Sequence, residues 1–365
     1  MYQVTLLSPS TKAERPEGII HSGYEGDYRT NLAITYYELL AKHLAVIMDA
    51  ELKIVGIEEQ DEYIRNGLFY IGKDDIAGAD HKMQLVDTSM IVTNIKTKKY
   101  FYVDYQDGAI HCREFARNKN CFAIIIPQHK HIYEYMGTDM YYYQHSHKFH
   151  PFGFFPSTPG YSYHMREEIQ KIRREKSKLI PKMYFSGNFY SEITYDNPRK
   201  NIREHNRAVV ETLHLKYNDW IDTVNTEDAK NRGGYLNKDD YFRKVASYSV
   251  PLDMPGHPWS HREQEFWGLG IPTLSNTYTC SVLEPLLPNI HYIDAGTRGK
   301  DTRDREVEVE LAADLIYKRF KEVYNNRDYL NFVSDNIMKR YDRFQDPTKG
   351  AEYMLRYIKT VNPNF

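Results

Sequence analysis

Three things are scarce in this sequence, and each scarcity removes a class of protein. No apolar run reaches 18 residues, so no segment is expected to cross a bilayer as a helix. Only three cysteines occur, Cys112, Cys121 and Cys280; they are odd in number and form no CxxC, so a reducing cytosol is the simple inference. Charge of one sign is lacking too. The 48 basic and 50 acidic side chains leave a net charge of −2, which removes any global electrostatic case for nucleic acid or an anionic membrane, though not local patches. The opening residues, MYQVTLLSPSTKAERPEG, lack the charged start and apolar core of a signal peptide and read as a first strand.

What is present fits a globular protein. The 365 residues are 41% hydrophobic and 27% charged, enough for two domains with cores of their own. Tyrosine is abundant, at 32 residues, but a tyrosine that packs with its hydroxyl at the surface is the ordinary case.

The stretch 241–274, YFRKVASYSVPLDMPGHPWSHREQEFWGLGIPTL, organises the chain. Its spacing predicts a helix over 239–246, a strand over 247–252, a Gly-Pro loop with Gly256 and His257, a helix over 260–267 and a strand from Ile271. Ser260 and Glu263 form a capping-box pattern, so the amides of the first turn, around Ser260 and His261, face the preceding loop as they do where helices bind anions. Arg262 and Glu265 are three apart and share a face. Gly270 and Pro272 end the helix. A cation, a carboxylate and backbone amides at one point beside a parallel sheet suit a nucleotide diphosphate and its ribose.

The pattern Arg262-x-x-Glu265-x4-Gly270-Ile271-Pro272 after that loop resembles the donor-site segment of GT-B glycosyltransferases, the exostosin-like form above all. The resemblance is sharp here, looser over 182–296 and weak in the N-terminal half. It implies that Glu265 holds the donor ribose and that the basic group faces the phosphates. It also implies an α/β fold of two Rossmann-like domains facing each other across a cleft. Retaining members often carry two Glu eight positions apart; here those positions hold His257 and Thr273, so stereochemistry is not carried over. The simpler alternative is an amphipathic helix with a surface Arg–Glu pair.

The rest of the chain is read against this frame. A strand over 3–7, a loop with Gly23, Tyr24, Glu25 and Asp27, a helix over 31–49 and a buried strand over 52–57 make the start of a doubly wound unit. Strands follow at 68–71, 89–93, 100–104 and 122–126, with a helix over 109–117. Asp104 and Asp107, and Gln128, His129 and His131, fall at carboxyl ends of strands, where open sheets hold ligands. Residues 129–164 break the βα rhythm with six histidines and Tyr141–Tyr143. Their spacing fits no zinc site well, so no metal is expected, and stacking on an acceptor is the sharper reading. A charged helix over 163–178 bridges or flanks the domains. Ser186 and Gly187 close the first strand of the second half, and Arg199, Arg203 and Arg207 make a basic stripe on a helix over 196–215. Three helices close the chain.

The expected division is an acceptor domain at 1–160, a nucleotide-sugar donor domain at 181–345, and a helix at 346–365 packing back on the first. The expected activity is metal-independent transfer of a sugar from a nucleotide sugar to a hydroxyl acceptor. A carbohydrate acceptor is preferred to DNA. Asp104, Asp107, Glu25 and Asp27 are the candidate bases if the enzyme inverts, and Gly23, Tyr24, His129 and His131 the candidate acceptor contacts. Three alternatives stay open. One is transfer to hydroxymethylated bases of DNA, as some viral glycosyltransferases do. The others are a nucleotide-sugar epimerase and a nucleic-acid-binding module.

Overall fold

The computed structural model describes residues 1–8, 28–56, 89–103, 113–126, 145–151, 159–175, 179–187, 198–225, 236–254, 261–276, 286–297, 308–344 and 346–365. These divide into two compact units. One takes the described residues of Met1–Pro159 and Asp342–Phe365, the other those of Gly160–Thr279 and Leu286–Tyr341. Both are α/β, and each has its own sheet.

The first sheet contains β1 (Tyr2–Ser8), β2 (Ala50–Gly56), β3 (Ser89–Asn94), β4 (Tyr100–Val103), β5 (Cys121–Ile126) and β6 (Phe149–Pro151), in the order β2-β1-β3-β4-β5-β6. Helix α1 (Tyr28–Met48) lies between β1 and β2 in the chain, and those two strands pair in parallel. Strand β3 runs against both neighbours, while β4, β5 and β6 run together. The sheet is therefore mixed and departs from the purely parallel arrangement expected of a Rossmann-like half. The reason is local. The link Ile95–Lys99 is too short for a crossover, which needs a dozen or more residues, so the chain turns back as a hairpin. Asn94 N–H donates to the Lys99 carbonyl at 2.9 Å, and Lys98 takes the left-handed conformation at φ 62°.

A second correction concerns β2, which was expected to be buried. It is the edge strand, and Ile54 is 45% exposed. A third concerns the histidine-rich segment, where β6 extends the sheet in parallel with β5. On one face of this sheet, α1 (Tyr37, Leu40, Leu44) and the closing helix α9 (Pro347–Val361; Met354, Ile358) pack on Val4, Leu6, Val92 and Phe101. Phe365 packs its ring on Tyr2, Phe101 and Phe122. The short helix α2 (Arg113–Arg117) carries Phe115, which stacks on Tyr102 at 3.9 Å.

The second sheet is wholly parallel. Its strands are β7 (Ile180–Gly187), β8 (Ile221–Asn225), β9 (Tyr248–Asp253), β10 (Leu274–Ser275) and β11 (Ile293–Asp294), in the order β11-β10-β9-β7-β8. Strand β9 is buried along its whole length, as an inner strand covered on both faces must be. Helices α4 (Pro198–Lys216), α7 (Val309–Val323) and α8 (Arg327–Phe344) pack on one face through Val209, Leu213, Ile316, Phe320 and Val333. Helices α3 (Pro159–Arg174), α5 (Lys238–Ala246) and α6 (His261–Leu269) pack on the other through Met165, Ile169, Phe242 and Phe266.

Helix α3 thus belongs to the core of the second unit and starts four residues earlier than the charge pattern suggested. Its buried Arg173 donates to the carbonyls of Ala246, Tyr248 and Ser249 at 3.3, 2.8 and 2.9 Å. No helix among the described residues is long and apolar enough to cross a membrane.

Candidate functional site

Numbered from β7, the second sheet has the doubly wound order 2-1-3-4-5. In such sheets the chain leaves the first strand toward one side and later returns to the other, which opens a crevice at the carboxyl ends of the strands flanking the reversal. Here those strands are β7 and β9. Their carboxyl ends carry Ser186 and Gly187 on one side and Asp253 on the other.

Arg262, on the first turn of α6, reaches this point. Its Nη1 lies 3.5 Å from Oδ1 of Asp253, which is almost completely buried. The same nitrogen lies 3.6 Å from where a β-carbon on Gly187 would sit, and the guanidinium is 6.0 Å from the Phe185 ring centroid. A guanidinium is therefore held across the ends of the two switch-point strands. Ser186 hydrogen-bonds the Tyr184 phenol, whose pKa burial raises.

Helix α6 is aimed by its far end. Ile271 N–H donates to the Phe266 carbonyl at 2.8 Å and Gly270 N–H to the Trp267 carbonyl at 3.1 Å, a Schellman closure with Gly270 at φ 68°. The remaining carbonyls have partners on neighbouring helices. Arg166 Nε donates to Gly268, Gln170 Nε2 to Leu269 and Ser334 Oγ to Gly270, at 2.6, 2.7 and 2.6 Å. With that end fixed, the first turn points at the switch point. Inside the unit, Glu263 accepts from Ser275 Oγ at 2.7 Å, and Glu265 accepts from Lys238 Nζ at 2.5 Å.

Of the sequence-selected residues, Arg262, Ser186 and Gly187 thus come together, and Glu265 lies one turn along the same helix. The sequence reading put Arg262 and Glu265 on one helix face, with a surface Arg–Glu pair as its simpler alternative. The structure gives them Asp253 and Lys238, and Glu265 is 6% exposed. Arg207 is half-buried on α4, next to Asn206, which accepts from Asn276 just beyond β10 at 2.9 Å. Among the described residues, no ion pair or hydrogen bond joins Arg207 to Arg262 or Asp253.

Arg203 and His261 lie on α4 and α6, but their side chains are outside the described residues. Also outside are Gly23, Tyr24, Glu25, Asp27, Asp104, Asp107, His129, His131, Gly256, His257 and Ser260. Among the described residues, no group of histidine, cysteine, aspartate and glutamate could hold a metal ion.

Two site residues escaped sequence reading. Asp253 sat one place beyond the expected strand end, and Lys238 one place before the expected helix start. No protein-family model matches this chain, and no curated protein does so either.

Proposed function

We propose that the protein is a nucleotide-sugar-dependent glycosyltransferase of GT-B type whose donor is held by the second unit. The observation that carries this reading is the Arg262 guanidinium placed across the ends of β7 and β9. A planar guanidinium, with donors in a fork, suits a diphosphate. The amides at the start of α6 add partial positive charge on the same side.

Asp253 sets where the guanidinium sits. As the glycosidic bond to the leaving diphosphate breaks, negative charge grows on the phosphate, and Arg262 is the group that meets it. The Glu265 carboxylate, bonded to Lys238, offers acceptor oxygens suited to ribose hydroxyls. The acceptor hydroxyl is assigned to the first unit, with Asp104, Asp107, Glu25 or Asp27 as base if configuration inverts. A carbohydrate acceptor suits the near-neutral charge better than DNA does.

The test is thermal. A nucleotide at about a hundredfold over its Kd stabilises a protein by about 2.7 kcal/mol. At millimolar concentration, one of the UDP, GDP, ADP, CMP or dTDP series is expected to raise Tm. If none does, the donor-site reading fails.

A further inference from the structure

Lys238 stands where a lysine is doubly disfavoured. It is the first residue of α5, where the helix dipole repels a cation, and its side chain is only 16% exposed. Asp239 and Asp240, which follow it, suit that position. The lysine is nonetheless turned inward. Its ammonium lies 2.5 Å from Glu265 Oε1 on α6 and 5.7 Å from the centroid of the Phe242 ring, one turn along its own helix.

Burying such a pair costs each partner several kcal/mol of hydration, so a buried ion pair is weak grounds for stability. An apolar contact would join α5 to α6 as well, and Phe242 and Phe266 already make one. What an apolar contact would not do is fix the carboxylate through a charge-assisted bond to one of its oxygens.

We infer that Lys238 is a positioning residue. It engages one oxygen of the Glu265 carboxylate, so that the group is presented in a fixed orientation to the hydroxyls of a bound ribose. The inference rests on the donor-site reading above.

Several groups face Glu265. Lys238 and the Tyr241 phenol do so from α5, with Asp239 acting on Lys238; Arg262 lies one turn earlier on α6, and Arg262 in turn faces Asp253 and Tyr184. Lys238 is in direct contact with it. Desolvation lowers the pKa of Lys238, and the contact with Glu265 offsets only part of that. Removing the ammonium takes away the bond that fixes Glu265 Oε1.

The experiment uses the full chain and the nucleoside diphosphate that raises its Tm. Binding is measured by calorimetry for the ribonucleotide and for its 2′,3′-dideoxy analogue. Lys238→Met is expected to weaken the ribonucleotide about tenfold or more. It should leave the dideoxy analogue nearly unchanged, and Lys238→Arg should restore most of the ribonucleotide affinity. The paired variant Lys238→Met with Glu265→Gln should recover Tm without recovering ribonucleotide affinity.

Equal loss for both nucleotides, or full recovery of affinity in the paired variant, would show that Lys238 only joins two helices, and would overturn the inference. Unchanged binding in Lys238→Met would do the same. If the wild-type chain binds no nucleotide, the donor-site reading itself has failed.

Discussion

Charged groups at the ends of β7 and β9 are held by buried partners, and these set what a substitution does. On the proposed donor site, Arg262→Ala removes the group assigned to the charge growing on the leaving phosphate, so turnover should fall more than donor affinity does. A single-turnover measurement beside equilibrium binding separates the two, and an equal loss in both would mean uniform binding. Arg173 is the contrasting case. It is buried, has no hydrogen bond at the switch point among the described residues, and satisfies three carbonyls where α5 passes into β9. Arg173→Met should leave those acceptors unpaired and cost about 2–4 kcal/mol of stability by urea denaturation. A loss under 1 kcal/mol would show that water replaces the guanidinium. Arg262 was marked out by its pattern with Glu265 and Gly270, whereas the role of Arg173 was not legible from spacing. Arg173 stood in a run of charge, and charge runs are normally solvated faces.

Element ends were more legible than element partners. Gly270 was expected to stop α6, and it does so in the left-handed conformation. A methyl group there would meet Gln170 Nε2 and Met338 Sδ, each at 2.5 Å from the new carbon. Gly270→Ala should therefore add contact strain to backbone strain and cost about 1–3 kcal/mol. Because the same turn aims α6, donor affinity should fall with Tm in that variant; full affinity at reduced Tm would uncouple aim from stability. The periodicity of apolar positions also placed α1 within a few residues of its observed bounds, and the helices expected over 196–215 and 239–246 fall as close to α4 and α5. It could not show that Glu265 faces Lys238. That contact joins residues 27 apart through the packing of two helices, and no local signal encodes it.

At the scale of the whole molecule, the alternation of strands and helices made the α/β class readable, and the wholly parallel second sheet agrees with it. The reversal of β3 was also encoded, in the five residues Ile95–Lys99, but the doubly wound pattern of β1, α1 and β2 outweighed that link in the reading.

Each unit also buries a neutral histidine, which makes stability depend on pH. In the first unit His150, on β6, shares a 2.7 Å hydrogen bond with the Tyr357 hydroxyl; burial first, then the nearby His147, lowers its pKa to about 4. In the second unit His291 accepts from Leu287 N–H through Nδ1 at 2.9 Å; burial first, then Arg340, lowers its pKa to about 4. An unfolded histidine titrates near 6.5, so between about pH 6.5 and 4 the unfolded chain binds more protons than the folded one. Stability therefore falls as pH drops through that window and is level above it. The shift sets a ceiling of about 3 kcal/mol per histidine, reduced to about 1–2 by solvent at these half-buried sites. Urea midpoints should hold level from pH 7.5 to about 6.5 and then fall down to pH 5, above most carboxylate titration. His291→Gln keeps an acceptor for Leu287 N–H and removes the titration, so its curve should be flatter than that of the parent. A slope unchanged in both His291→Gln and His150→Gln would mean that these rings protonate without disturbing the fold.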